Sequence, residues 1–394
     1  MDTLHTVLNR GRSIWERDSL SEREFRGRLD NIKAGMKERG VDLLLVYGDS
    51  WRYGHLAFVS HFIPKNRGAL AAIPLAGEPA LVVQEPSRNN PFSKTLTWID
   101  EVRSVGQFAQ GLGDALKARQ LKPGRVGLVS VEQQLNIREW NGLMKTLEGA
   151  ELSDLSDLLI SLRLVKSAAE QALVKKSASI LERALEFLRR ELRAGRKEHE
   201  IAAVAEREAR RQGVEDFRCM LARSAEPDIG LRPPGPAAVD KGERLLVAVA
   251  ASYQRYWAEI GRTFFLGKPS PESSKSHDLA KGLFRRLVEG AKVGSSSAVA
   301  ASILSEVPVA AGNSLAAYGL GNGIGLDMSE APFLGREDSV KLQPGMTLTL
   351  RVCFSGKECG SALISRPFLM SEKGLQPLVG PVEDPLLIEG WRNT

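Results

Sequence analysis

The apolar run over residues 245–251, LLVAVAA, is unbroken by any polar position. It is followed by Ser252-Tyr253-Gln254-Arg255 and then by a roughly alternating stretch over 256–266. A continuous run, a polar break and an alternating run read as a buried strand, a turn and a second strand, hence a β-hairpin. Near the start of the chain, Phe25, Leu29, Ile32 and Met36 recur at helical spacing and predict an amphipathic helix over 22–39, stopped by Gly40. Residues 41–47 read as a buried strand, and 68–74 and 80–84 as strands flanking a turn at 75–79. Helices are expected over 108–119 and 136–147, with a strand over 125–131 between them. This alternation predicts a partly parallel sheet covered by helices. Residues 150–164 read as a link, 165–193 and 197–212 as two long helices, and 219–240 as a loop. The domain division is expected at 155/156, giving 1–155 and 156–394.

Composition narrows the class. Apolar residues make up 43% and charged residues 26%, ordinary for a globular protein. Lys and Arg number 54 against 48 Asp and Glu, a net charge of +6 that is too evenly scattered to point to nucleic acid. The charge runs at 189–191 and 206–211 read as solvated helix faces. No apolar stretch is long enough to span a membrane, and residues 1–20 are charged throughout, without a secretory apolar core. The three cysteines, Cys219, Cys353 and Cys359, form no C-x-x-C pair, and a cytoplasmic location is expected.

Three stretches carry the candidate chemistry. EIGRTFFLG ends the hairpin at Glu259 to Gly267. GNGIGL starts at Gly321, with SEAP following at Ser329. LQPGMTLTL starts at Leu342. These resemble the creatinase / methionine aminopeptidase / Xaa-Pro peptidase family, the pita-bread fold, whose patterns are D-I-x-R-T-x-x-x-G, G-H-G-I-G-L, H-E-x-P and L-x-x-G-M-x-x-T. The resemblance implies an α/β (α+β) chain. A creatinase-like N-terminal α/β domain would precede a pita-bread domain with a curved antiparallel sheet and flanking helices. It covers nearly the whole sequence, including an R-x-x-K signature at Arg163 to Lys166.

The resemblance also shows where this chain departs from its family. In the metallopeptidases, two Asp, one His and two Glu hold two divalent cations. Matched residue by residue, those seats fall on Ala248, Glu259, Asn322, Arg351 and Ser365. One carboxylate and one permanently charged guanidinium are a poor donor set for a hard or borderline dication. At 4 Å and an effective dielectric of about 20, the guanidinium would cost roughly 4 kcal/mol per unit of cation charge. The family's catalytic histidine, used by metal-free creatinase, falls on Leu231. The resemblance therefore implies a member without metal or other cofactor. Its general base must be a carboxylate, a tyrosine or a group from a partner subunit.

Glu259 and Glu330 are the candidate bases, with Arg351 and Asn322 to hold substrate or a developing oxyanion. The alternative for both carboxylates is a structural network with Arg262, Arg351 and Arg366 that replaces the missing cations. Arg262, Arg366, Arg223 and Arg232 favour an anionic substrate, because guanidinium groups bind carboxylate bidentately. Tyr256, Tyr318 and Ser365 would add stacking or hydroxyl contacts. His199 and His277, the latter in a Ser-rich loop, read as surface residues. In creatinase-like homodimers, a loop corresponding to residues 56–68 reaches the partner's pocket; here it offers Phe62, Lys65 and Arg67. The expected activity is metal-independent cleavage of a C–N bond, by hydrolysis or elimination, in a small anionic or zwitterionic amino-acid-type substrate. The alternative is a non-catalytic relative that binds a small ligand or a protein; a metal-dependent Xaa-Pro peptidase fits less well.

Overall fold

The computed structural model describes residues 13–65, 67–296, 307, 309–334, 340–380 and 386–388. The chain divides into two compact units, Met1–Leu164 and Val165–Thr394.

In the first unit the helix Glu22–Glu38 buries Phe25, Leu29, Ile32 and Met36, as their spacing requires. Gly40, at φ +64, closes it in the left-handed region that favours glycine. Among the described residues six strands follow: β1 (Leu43–Asp49), β2 (Gly68–Pro74), β3 (Ala80–Gln84), β4 (Glu101–Val105), β5 (Arg125–Val129) and β6 (Glu151–Asp154). They lie in the order β4-β3-β2-β1-β5-β6. The pairs β3/β4, β1/β5 and β5/β6 are parallel; β1/β2 and β2/β3 are antiparallel. The helices Phe108–Ala118 and Ile137–Thr146 bury Phe108, Leu112 and Leu143 against one face.

Two segments differ from the reading of the sequence. Residues 54–60 form a helix, ended by His61 at φ 60, so the first part of the loop expected over 56–68 is helical. Residues 151–164 hold β6 and the helix Ser156–Leu164 rather than a link. That helix groups with the first unit, so the division falls at 164/165 and not at 155/156.

The second unit begins with the helix Ala168–Glu191, fixed by a capping box in which Ser167 and Glu170 exchange hydrogen bonds with each other's backbone. The helix Glu198–Arg211 follows. The sheet is built from β7 (Asp216–Arg223), β8 (Arg244–Tyr253), β9 (Tyr256–Phe265), β10 (Gly321–Gly323), β11 (Glu330–Leu334), β12 (Thr347–Gly356) and β13 (Gly360–Ser371). Among the described residues their order is β11-β10-β12-β13-β9-β8-β7, with β14 (Gly374–Pro377) on β13 and β15 (Leu386–Leu387) on β9. The expected loop over 219–240 thus starts with the last residues of β7. The predicted hairpin is β8 and β9, with Tyr253 opposite Tyr256.

The turn between them, Gln254-Arg255, has φ 46 and 73. A two-residue hairpin whose strands twist correctly needs positive φ at both positions, usually met by Asn-Gly. Here the conformation is held by Glu215. Its carboxylate accepts from the Arg255 backbone N–H at 2.9 Å and pairs with the Arg255 guanidinium. Both residues are buried.

Side-chain alternation gives the sheet two distinct faces. Val247, Val249, Ala258, Ile260 and Phe264 pack against Leu181, Leu185 and Leu188 of the helix Ala168–Glu191. The other face carries Leu246, Ala248, Cys353 and Leu363, with Tyr318 and Leu231 against them. Between β9 and β13 the backbone ladder is reduced to one rung, Ser365 opposite Gly261. The Thr263 hydroxyl extends it, donating to the Leu363 carbonyl at 3.0 Å and accepting from the Leu363 N–H at 2.9 Å.

Candidate active site

Glu259 on β9, Asn322 on β10, Arg351 on β12 and Ser365 on β13 converge on the second of these faces. Arg351 sits opposite Ser365 in the ladder, and Ser365 opposite Gly261. A Cβ on Gly261 would lie 2.8 Å from Leu363 and 2.9 Å from Ser365, so this close approach requires glycine. It lets the Ser365 hydroxyl donate to Glu259 Oε1 at 2.8 Å.

Arg351 grips the same carboxylate. Its Nε and Nη2 donate to Oε1 at 2.9 and 2.8 Å, and Nη2 also reaches Oε2 at 2.7 Å. Nη1 donates to the Tyr318 carbonyl at 3.1 Å, and Nη2 lies 3.5 Å from Asn322 Oδ1. Burial works against the charge on Arg351, but Glu259 more than offsets it and holds the guanidinium above its ordinary range. Glu259 is 8% exposed. The Asn322 amide donates to the carbonyls of Gly323 and Met328, which fixes its orientation.

Cys353 lies two residues along β12 on the same face. Burial pushes its thiol up to about 12, Arg351 pulls it down and Glu259 raises it further. Cys219 is likewise raised to about 12 by burial. A thiol protonated in the fold and free to ionise once unfolded costs stability as pH rises past the unfolded value near 8.5 toward the folded one. Above about pH 9, the native chain is expected to lose about 1.4 kcal/mol per pH unit for each such thiol. Denaturant titrations of wild type and of Cys353→Ala between pH 8 and 10.5 test this; parallel curves would contradict it.

Glu330 is taken by a different partner. Its carboxylate pairs with Lys166 at 2.6 Å, both side chains being nearly inaccessible, and accepts from the Asp327 N–H at 3.3 Å. A Cβ on Gly325 would lie 2.8 Å from Glu330 Oε1 and 3.0 Å from Lys166 Cε, so the pair also depends on that glycine. Lys166 closes the R-x-x-K signature, a motif whose carboxylate partner the sequence did not reveal.

Several candidates lie elsewhere. Tyr256 points to the helical side, where its hydroxyl donates to Glu170 at 3.0 Å. Arg262 and Arg366 also face away from Glu259; Arg262 Nη2 lies 3.9 Å from Glu182, and Arg366 donates to the carbonyls of Val379 and Gly380. Arg232 is held by Glu198 and Glu226, and Arg223 by Glu243, so neither presents a free guanidinium. Tyr318 stays at the site's edge, its hydroxyl accepting from the Leu231 N–H at 2.8 Å. His277 sits in the helix Pro271–Gly290, 6% exposed and edge-on to Phe265, not in a surface loop. His199 is exposed. In the first unit Phe62 is buried, Lys65 half-buried and Arg67 exposed. Arg67 lines a cavity of about 630 Å³ with Tyr47, Gln84, Arg138 and Glu139.

Among the described residues no three His, Cys, Asp or Glu side chains form a group that could hold a metal ion. The five seats a metal pair would use hold one carboxylate, the guanidinium that binds it, one amide, one hydroxyl and a methyl group that offers no donor at all. This set does not fit two dications.

Residues 172–372 match the metallopeptidase family M24, and residues 28–165 match the creatinase/prolidase N-terminal domain. The chain belongs to family M24. The Xaa-Pro dipeptidase of Pyrococcus horikoshii is 25% identical over 246 residues, 60% of this chain and 68% of that protein. The Xaa-Pro dipeptidase of Pyrococcus furiosus is 25% identical over 231 residues, 58% of this chain and 66% of its own. Among solved structures, the X-Pro aminopeptidase from Thermotoga maritima superposes with a TM-score of 0.79 at 22% identity, covering 91% of this chain and 99% of that one. The prolidase from Pyrococcus horikoshii gives 0.78 with the same identity and coverage. The fold is therefore the pita-bread architecture with a creatinase-like N-terminal domain, and membership of M24 supports an enzyme of the hydrolase class. Among the described residues no helix is long and apolar enough to cross a membrane.

Proposed function

We propose that this M24 member is a metal-independent hydrolase that cleaves a C–N bond in a small anionic or zwitterionic amino-acid-type substrate. The observation that carries the reading is the Glu259–Arg351 pair, which places a fixed positive charge and a carboxylate where the family's cations would be held. Water attacks the substrate carbonyl carbon, and Glu259 accepts the water proton. The oxyanion formed faces the Arg351 guanidinium, which supplies the stabilisation a metal would give. The C–N bond then breaks as the nitrogen takes the proton back from Glu259, leaving a carboxylic acid and an amine. Ser365 and the Tyr318 carbonyl hold the two charged groups in register.

A second reading, a non-catalytic binder, is favoured by one fact. Both Glu259 and Glu330 are ion-paired, so a base is available only if substrate loosens Arg351. One experiment separates the two. Purified protein, expressed with added manganese, zinc and iron, is assayed for metal content and for hydrolysis of N-acylated amino acids and dipeptides, with and without EDTA. Turnover unaffected by chelator, at less than about a tenth of a metal equivalent per chain, is the expected result. Tightly held metal whose removal stops the reaction would overturn it. Ligand-induced stabilisation with no turnover would favour the binder.

A further inference from the structure

In the first unit, the cavity of about 630 Å³ opens at one edge of the six-stranded sheet. β1 and β3 both run antiparallel to β2, and β4 runs parallel to β3, so the carboxyl ends of β1, β3 and β4 share that edge. Tyr47 and Gln84 line the cavity from those ends, and Arg67 enters it from the residue before β2. The helices Phe108–Ala118 and Ile137–Thr146 begin there; Arg138 and Glu139 stand in the first turn of the second. The crevice beyond the carboxyl ends of parallel strands is where open α/β sheets hold their ligands.

The polar groups in this crevice are tied to one another, and the ties show which are left over. Glu139 is 7% exposed; its Oε1 accepts from the Gln84 amide at 2.8 Å and its Oε2 from the Phe108 N–H at 2.9 Å. The Gln84 amide also donates to the Gly106 carbonyl at 3.3 Å, which leaves Gln84 with an acceptor to spare. Tyr47, 7% exposed, stands edge-on to Phe108 with ring centroids 5.7 Å apart. Its ring lies over Gly68, where a Cβ would come within 2.5 Å of the hydroxyl. That hydroxyl has no partner among the described residues. Burial, with Asp49 adding to it, pushes the hydroxyl up to about 12, so it keeps its proton at neutral pH. A hydroxyl so far removed from solvent is costly unless something in the cavity meets it. Arg67 and Arg138 are exposed, and among the described residues neither is paired with a carboxylate.

We infer that this cavity binds a phosphorylated sugar, its phosphate on Arg67 and Arg138 and its hydroxyl groups on Tyr47, Gln84 and Glu139. The unspent donors are two guanidinium groups and one hydroxyl, so the ligand must be rich in acceptors. A phosphate offers three oxygens, which planar guanidinium groups bind bidentately. The unspent acceptors, on Gln84 and Glu139, suit the O–H groups of a sugar. The volume falls within the roughly 300–1,000 Å³ of small-molecule sites, but such sites are mostly apolar and this lining is not. That argues against a nucleobase or an acyl chain. The Glu139 carboxylate would repel a second anionic group, which favours a single phosphate. All of these residues belong to the first unit, so the inference does not depend on the proposed reaction at Glu259. Arg67, for which the family resemblance implies a role in a partner's pocket, has a place within its own chain.

Ribose 5-phosphate, ribose and inorganic phosphate serve as probes, read by isothermal titration calorimetry and thermal shift on the full chain. Ribose 5-phosphate is expected to bind with a sub-millimolar Kd, and ribose and inorganic phosphate each at least tenfold more weakly. Arg67→Gln and Arg138→Gln, both at exposed positions that leave the fold intact, should each weaken ribose 5-phosphate at least fivefold. Tyr47→Phe, which keeps the ring over Gly68, should weaken it two- to fivefold. Glu259→Gln should bind it as wild type does. No binding of ribose 5-phosphate, equal binding of ribose or of inorganic phosphate, unchanged binding in both arginine variants, or loss in Glu259→Gln would each overturn the assignment.

Discussion

Glu259→Gln is expected to reduce turnover of the amide substrate by about 10²- to 10⁴-fold, the range supplied by a positioned general base. The fold measured by circular dichroism should persist, but not at full stability, because Gln leaves the charge of Arg351 unbalanced. The cost should be larger for Arg351→Met, about 3–5 kcal/mol in a denaturant titration, since Glu259 would be left buried without its cation. The pair Glu259→Leu with Arg351→Met should regain most of that stability, because a buried ion pair is often no better than well-packed apolar groups. It should regain no activity. Full turnover in Glu259→Gln would remove this carboxylate from the chemistry. A double variant as unstable as Arg351→Met would mean that the pair is not the source of the cost.

Glu215→Ala is expected to be the most damaging single change away from the site. Glu215 is 3% exposed and Arg255 is fully buried, and the same carboxylate holds both the guanidinium and the backbone N–H of a turn residue at φ 73. Losing it leaves a buried cation and releases a strained turn, at a cost of about 3–5 kcal/mol. For a unit of the size of Val165–Thr394 that is a fall in Tm of roughly 6–20 °C, at about 2–4 °C per kcal/mol. A calorimetric shift under about 2 °C would show that Gln254-Arg255 keeps its conformation without help.

Much of this architecture was legible in the sequence because its cues are local. The apolar run before Ser252 marks β8, the spacing of Phe25 to Met36 marks a helix, and matching the family's metal seats residue by residue picks out Glu259, Asn322, Arg351 and Ser365, which the structure brings together. The errors have a common cause: partners distant along the chain. Arg232 meets Glu198, Tyr256 meets Glu170 and Lys166 meets Glu330, and no periodicity announces such pairs. One error was avoidable. Residues of a strand point alternately to its two faces, so Arg262 and Tyr256, each three positions from Glu259, could not share its side; nor could Arg366, adjacent to Ser365. His277 was misplaced because serines 270, 273, 274 and 276 read as a loop, whereas Ser270 caps the helix by accepting from the Ser273 N–H.

The single rung between Gly261 and Ser365 has a kinetic consequence. Strands β7 to β9 form one continuous ladder and β10 to β14 another, while the hydrogen bonds that join them are few: the Ser365–Gly261 rung, the Thr263 hydroxyl, the Glu259–Arg351 clasp with the Ser365 hydroxyl, the Trp257 N–H on the Gly325 carbonyl and the Arg244 guanidinium on the Ser361 carbonyl. Opening free energies follow hydrogen-bonded blocks, so the two ladders should exchange their amide hydrogens as separate cooperative units. The line of least resistance then runs through the ion pair itself. Whatever binds there acts as a rivet between two halves that breathe independently, and its grip sets how often they part.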